Sequence, residues 1–193
     1  MDGRIVARWQ DWSGSRREHT VINRSAAGIS IDGTVISGGS EDPFAVRYRL
    51  ECDSSWTLRA ADIELTGEGG AIALVSDGHG AWKDRTGRRL GHLDGAIDID
   101  LSVSPLTNTL PIHRLGLAQG ESRGILAAYV HFPDLTVTID PQRYTCLEPM
   151  RRYRYESLDS DFTREIEVDL DGLVVVYPGL FRRIAWTPGH RAV

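Results

Sequence analysis

This sequence is poor in the residues that announce the commoner protein functions. It carries only two cysteines, Cys52 and Cys146. They have neither metal-ligand spacing nor the density of a disulfide framework. A reduced compartment is the simpler expectation, with a single bridge left open. Lysine is nearly absent, since all but one of the 22 basic residues are arginine, the exception being Lys83. Acidic residues number 27 and set the net charge at −5, which argues against nucleic acid or an anionic membrane as the main partner. No apolar run reaches the length of a membrane span, and residues 1–12 lack the apolar core of a signal peptide. A soluble, cytoplasmic protein without an integral membrane segment is expected. There is no G-x-S-x-G elbow, no phosphate loop and no dinucleotide fingerprint after a strand. The six histidines, at 19, 79, 92, 113, 131 and 190, do not cluster. No cofactor, no metal site and no catalytic residue is assigned on these grounds.

Helix signals are also scarce, and strand signals are frequent. Apolar and polar residues alternate, with turn residues at short intervals, so the chain reads as mostly β. Short strands are predicted over 20–24, 28–31 and 34–37, with Ile31-Asp32-Gly33-Thr34 as a hairpin turn and 38–43 as a loop.

A stretch near the end of the chain has an earlier counterpart. Arg152, Tyr153, Arg154 and Glu156 repeat Arg47, Tyr48, Arg49 and Glu51 at a constant offset. Further on, Asp62-Ile63-Glu64-Leu65 aligns with Glu167-Val168-Asp169-Leu170, and Trp82 with Trp186. The reading is one domain over 1–193 that contains two pseudo-repeats, about 47–82 and 152–186, joined by a strand–helix segment over 94–117. In the second repeat Tyr153 and Tyr155 share one strand face, and Arg152, Arg154 and Glu156 the other. A hairpin closed at 158–161 sets Arg154 opposite Glu165 and Arg152 opposite Glu167. In the first repeat Arg47 and Arg49 meet Glu64 and Asp62 only if a bulge absorbs the extra residues.

Three runs break the alternation, at 71–75, 125–130 and 173–177. A strand that is apolar on both sides must be covered on both sides. The cover is either a second layer of sheet or a cavity closed by a ligand, and the second alternative leads to a function. Within the joining segment, Ile97, Ile99, Leu101 and Val103 form one strand face and Asp98 and Asp100 lie on the other. Pro105 ends the strand, and 111–115 reads as one or two helical turns and a candidate lid. Asp98 and Asp100 suit an acid–base pair, a metal site with His92 or Asp94, or acceptance of hydrogen bonds from Arg114 and the 107–109 turn. The last of these leads.

The run 97–101 through 107–115, Tyr129 to Pro133, Arg143-Tyr144-Thr145, 152–157 and 171–181 together resemble a bacterial family known as "putative glycolipid-binding". The resemblance covers nearly the whole chain. It implies an antiparallel β-roll or incomplete barrel with internal duplication and one or two short helices. It also implies a lipid or glycolipid-like ligand, by likeness of shape to periplasmic lipoprotein and glycolipid carriers.

The expected activity is therefore non-enzymatic binding of an amphipathic molecule, with apolar chains inside the roll and a polar head at its rim. Side-chain type and strand face nominate Tyr129, Tyr153, Tyr155, Val174, Val176 and Tyr177 as cavity lining. Asp98, Asp100, Asn108, Arg114 and Arg143 are nominated for the head group. The alternatives are an enzyme acting on a polar small molecule or sugar through Asp98 and Asp100, and a protein-interaction module without a small ligand.

Overall fold

A computed structural model describes residues 3–38, 43–67 and 69–185. The first seven strands are β1 (Gly3–Asp11), β2 (Arg16–Ser25), β3 (Gly28–Ser37), β4 (Phe44–Cys52), β5 (Leu58–Leu65), β6 (Ala71–Ser76) and β7 (Trp82–Asp84). After a 3-10 turn at Gly91–Leu93 come β8 (Asp98–Leu101), a second 3-10 turn (Pro105–Asn108) and the short helix α1 (Thr109–Leu115). The remaining strands are β9 (Ser122–Val130), β10 (Val137–Glu148), β11 (Arg152–Ser157), β12 (Thr163–Val168), β13 (Val174–Tyr177) and β14 (Phe181–Arg183).

All fourteen lie in one sheet, ordered β7-β6-β5-β4-β3-β2-β1-β14-β13-β12-β11-β10-β9-β8. Each half is a run of sequential neighbours, and the halves join where β1 pairs with β14. Every pairing is antiparallel except β8 with β9. The two ends of the sheet come close. Gly95 N–H donates to the Gly80 carbonyl at 2.8 Å, and the Trp82 indole N–H to the Ala96 carbonyl at 2.7 Å. A Cβ on Gly80 would stand 2.9 Å from the Gly95 backbone, so this approach requires glycine. The result is an incomplete β-barrel, or roll.

The two hairpins of the sequence repeat have the same register. Arg47 faces Glu64, Tyr48 faces Ile63 and Arg49 faces Asp62, while Arg152 faces Glu167, Tyr153 faces Ile166 and Arg154 faces Glu165. In the first, a register shift between Glu51 and Cys52 absorbs the difference in loop. Ile63 is therefore the counterpart of Ile166, two residues from the position that sequence alignment selects. Strand faces repeat every second residue, so the slip of two left the face assignments intact.

The turn expected at Ile31–Thr34 is not formed. Asp32 and Gly33 lie mid-strand in β3, and the chain reverses at 26–27 instead. A Cβ on Gly33 would overlap the ring of Tyr48 at 1.9 Å, so this glycine makes room for a cross-strand ring and not for a turn. The loop at 38–43 and the match to Trp186 fall, at 39–42 and at 186, outside the described residues.

Cover for the inner face of the first half comes from the chain itself. Leu93, Ala96, Ile99, Leu101, Val103, Leu106 and Leu110 are buried in one cluster with Trp9, Ile22, Ile31, Leu50, Leu58, Ile63 and Trp82. The joining segment is a plug, with no lid-like exposure at its centre. Among the three apolar runs, Ala127-Ala128 and Leu173-Val174 are buried on both sides, but Val75 is exposed.

One loop pins the halves together. At Asp77, Asp84 and Asp169 the carboxylate accepts N–H bonds from the second and fourth residues onward, and a glycine takes the left-handed third position. The loop at Asp53 has the same bonds, but Trp56 occupies that position with φ 64°. A non-glycine there costs about 1 kcal/mol or more. Offsetting it, the indole stacks on His113 of α1 at 4.4 Å and 3°, with Arg24 over its ring at 5.0 Å. His113 Nε2 donates to the Asp171 carbonyl at 2.8 Å and Thr109 Oγ1 to the Gly172 carbonyl at 3.0 Å, which ties α1 to the β12–β13 loop.

Candidate functional site

Inside the second half the concave face is not filled. A cleft of about 400 Å³ opens between β8, β9, β10, β11 and the β13–β14 turn. Its walls are aromatic, built from Tyr129, Tyr155, Phe162, Tyr177 and Phe181. Tyr155 stands at their centre. Its ring lies 5.5 Å from Tyr144, 6.0 Å from Phe162 and 6.1 Å from Tyr177, each tilted or edge-on, the arrangement that ring quadrupoles favour.

The polar side of the cleft is acidic. Asp100 leaves β8 and accepts from Thr107 Oγ1 at 2.8 Å and from Gln142 Nε2 at 2.8 Å. The same Gln142 nitrogen reaches Asp140 Oδ2 at 2.7 Å, and the Tyr155 hydroxyl reaches that oxygen at 3.4 Å. Asp159, at the mouth, accepts from Ser157 Oγ at 2.7 Å. Desolvation, with the charges of Asp140 and Asp98 adding to it, pushes the Asp100 carboxyl up to about 6. Asp140 is raised as well, by desolvation and then by Asp159, while its bond from Gln142 pulls the other way. Burial pushes the Tyr129 hydroxyl up to about 12, and raises Tyr155 and Tyr177 too.

Behind this wall lies a second buried acid that the sequence reading missed. Glu18 on β2 is 4 % exposed. Its Oε1 accepts from Ser104 Oγ at 2.7 Å, Thr20 Oγ1 at 2.9 Å and the Tyr48 hydroxyl. Its Oε2 has no partner among the described residues. Desolvation raises this carboxyl to about 7 against the pull of those three hydroxyls. Ser104 itself lines the cleft.

Five of the residues nominated from sequence line this cleft: Asp100, Asn108, Tyr129, Tyr155 and Tyr177. The others lie elsewhere. Asp98 is buried and paired with Arg114, whose Nε donates at 3.0 Å and whose Nη2 also bonds it. Arg143 pairs with Glu156 at 3.6 Å on the exposed side. Tyr153 is buried, with its hydroxyl accepting from the Met150 N–H at 3.1 Å. Val174 is buried and lends its carbonyl to the Trp9 indole at 2.7 Å and to Arg183 at 3.1 Å. Val176 is half-buried and pairs with Glu167 and Arg182 across the ladder. Asp98 and Asp100 do accept from Arg114 and from Thr107, as the leading sequence reading had it.

Asp140, Gln142 and Phe162 were not nominated. Asp140, Gln142, Tyr144 and Cys146 share one face of β10, which was a usable signal. Pro141 obscured it, because proline inside a run argues against a strand.

No group of three or more His, Cys, Asp or Glu is placed to hold a metal among the described residues. Cys52 and Cys146 are free thiols and both are buried. No helix among the described residues is long and apolar enough to cross a membrane.

Fold and cleft together define a class, the open antiparallel β-roll with a cleft of small-molecule size on its concave side. Within that class the chain belongs to the family described as "Putative glycolipid-binding", whose model matches residues 6–183. It is similar to the crystal structure of a DUF1089 family protein from Pseudomonas aeruginosa, at 38 % identity and a TM-score of 0.77. That match covers 86 % of this chain and 92 % of the other. No curated protein matches the chain.

Proposed function

We propose that this chain is a cytoplasmic, non-enzymatic binder of an amphipathic, glycolipid-like molecule, which it holds by the polar head in the cleft of the second half. The observation that carries this reading is the Asp100–Gln142–Asp140 relay set among aromatic walls. Carboxylates accept bonds from the hydroxyls of a sugar ring, and the ring faces cover its apolar side. A volume of about 400 Å³ falls at the lower end of the range for small-ligand sites. The apolar part of the ligand then runs outward. Leu180 lines the mouth at 37 % exposure, and Trp12, whose N–H bonds the Leu180 carbonyl, is 48 % exposed beside it. Each Å² of apolar surface covered there contributes roughly 25 cal/mol. This places the head inside and the tail at the rim, the reverse of the orientation expected from the apolar strands.

A second reading draws on the raised carboxyl of Asp100 beside Asp140, since a pair with separated pKa values is how acid and base roles are divided. Against it stands the geometry. Both oxygens bond one Gln142 nitrogen and so share a wall, whereas glycosidase carboxyls flank the bond they cleave.

The test is direct. Phe162 is half-buried at the rim, so Phe162→Trp places a fluorophore at the cleft. Octyl glucoside, titrated below its micelle concentration, shifts the emission of this variant, and Asp140→Asn in the same background weakens the shift. An indifferent fluorophore sinks the binding reading. Turnover of nitrophenyl glycosides that Asp100→Asn abolishes replaces it with the enzyme.

A further inference from the structure

Among the described residues, the carboxylates that line the cleft are not paired with arginine. Elsewhere, several carboxylates that do not close a turn are met by arginine, while buried Glu18 is held by hydroxyls. Asp32 pairs with Arg49, Asp62 with Arg85, Asp94 with Arg89 and Asp171 with Arg24. On β8 the contrast falls within three residues, for Asp98 is paired with Arg114 and Asp100 has no cation. Among the described residues no ion pair reaches Asp100, Asp140 or Asp159. Their bonds come from the neutral donors of Thr107, Gln142, Tyr155 and Ser157.

Of the lining residues only His131 is basic, and its Nε2 is already bonded to Thr138 Oγ1 at 2.9 Å. Uncompensated carboxylates in a desolvated place are costly unless a charge arrives to meet them. The walls are suited to that charge. Aromatic faces attract cations through their quadrupole, and a guanidinium, that of Arg164, already lies 4.6 Å over the ring of Phe162.

The geometry points to a ligand whose polar head carries an ammonium, an aminosugar or comparable amine, seated between the Asp100–Asp140 pair and the ring of Tyr155. This rests on the binding site proposed above and names its chemical class. The missing counter-charge of the cleft is then supplied by the ligand, and anionic heads such as phosphate, sulfate or uronate are excluded by repulsion.

Three octyl glycosides of one shape separate the possibilities by calorimetry on the intact protein. They are octyl glucoside, octyl 2-amino-2-deoxyglucoside and octyl glucuronide, which are neutral, cationic and anionic. The amino compound binds about tenfold or more tighter than the neutral one, as a charge-assisted bond in a desolvated site requires, and the glucuronide binds weakest. Asp140→Asn and Asp100→Asn each weaken both glycosides but cost the amino compound about tenfold more than octyl glucoside, so the preference for the amine is lost. An unchanged circular dichroism spectrum and a cooperative melt show that each variant is folded. If a buried substitution fails this control, Asp159→Asn, on the exposed rim, repeats the comparison.

Equal affinity for all three overturns the ammonium assignment and leaves the binding site standing, as does tightest binding of the glucuronide. Failure of all three to bind removes the site and the assignment together.

Discussion

The two halves of the sheet have the same strand meander and opposite interiors. Between β1 and β7 the concave face is closed by Ile99, Leu101, Leu106 and Leu110 from the joining segment. Between β9 and β14 the corresponding face keeps a cleft lined by tyrosines and carboxylates. Among the described residues, Glu18 on β2 and Asp100 on β8 are desolvated acids without a cation. Three hydroxyls surround Glu18 with no cleft around it, whereas Asp100 opens onto one. One backbone plan therefore supports a solid core and a recessed site, and the difference is made by where a single strand–helix segment lies.

The largest expected effect breaks that contrast at its centre. Leu106 is fully buried in the plug, so Leu106→Ala costs about 3–5 kcal/mol through lost burial and a residual cavity. Leu180→Ala at the cleft mouth changes stability by no more than about 0.5 kcal/mol. Urea denaturation of both variants checks this, and equal costs would mean that the first half is not the packed one.

Next in size is the divergence of neighbouring aspartates. Arg114→Ala leaves Asp98, whose side chain is 1 % exposed, without its cation. The cost is about 3 kcal/mol, and Asp98→Asn in the same chain restores part of it. Asp100→Asn has no such partner to strand and leaves stability within about 1 kcal/mol. Thermal melts of the four proteins measure the difference.

Glu18 offers a test in pH. Its folded pKa, about 7, stands above its ordinary value of 4.5 because the ionised form is desolvated. Stability from the neutral carboxyl is full below about 4.5 and is lost as pH rises through 7. Glu18→Gln removes that loss, so the variant gains on the parent by on the order of 2–3 kcal/mol between pH 5 and 8. Asp100 titrates in the same direction near 6 and is common to both proteins, which leaves the difference to Glu18. A difference in Tm that is flat with pH would show that Glu18 does not ionise in place.

Much of the fold was legible in the sequence. Strand-period alternation identified the hairpins, and the Arg-Tyr-Arg pattern gave their faces. The two hairpins of that pattern share one register. The 111–115 run falls within α1, while β8 ends at Leu101, four residues before the Pro105 expected to end it. The illegible parts share a cause, namely that local signals carry no information about what lies opposite. Asp32-Gly33 has the composition of a turn, and only the ring of Tyr48 across the ladder makes it strand. Glu18 sits on the inward parity of β2 beside Thr20, where nothing local announces the hydroxyls of Tyr48 and Ser104. At the site, Asp100 and the tyrosines were visible by type and face. Asp140 and Gln142 were hidden by Pro141, and Arg114 and Arg143 have the chemistry of a head-group site but point elsewhere.

The smallest effect concerns the outer faces, where the halves look most alike. Arg154 meets Glu165 at 3.2 Å in the second hairpin, and both side chains are 44 % exposed. In the first, Arg49 turns from its ladder partner Asp62 to Asp32 at 3.1 Å and Glu51 at 3.2 Å, with all three side chains about half exposed. Exposed pairs of this kind contribute about 0–1 kcal/mol, because water screens them and ordering two long side chains offsets the attraction. A double-mutant cycle on Arg154→Ala and Glu165→Ala should therefore return a coupling below about 1 kcal/mol, as should one on Arg49→Ala and Asp32→Ala, and added salt should lower both. A coupling above about 2 kcal/mol in either hairpin would shift the weight of the architecture from its inner faces to its charged exterior. The contrast between a plugged and an open interior would then no longer account for how the two halves differ.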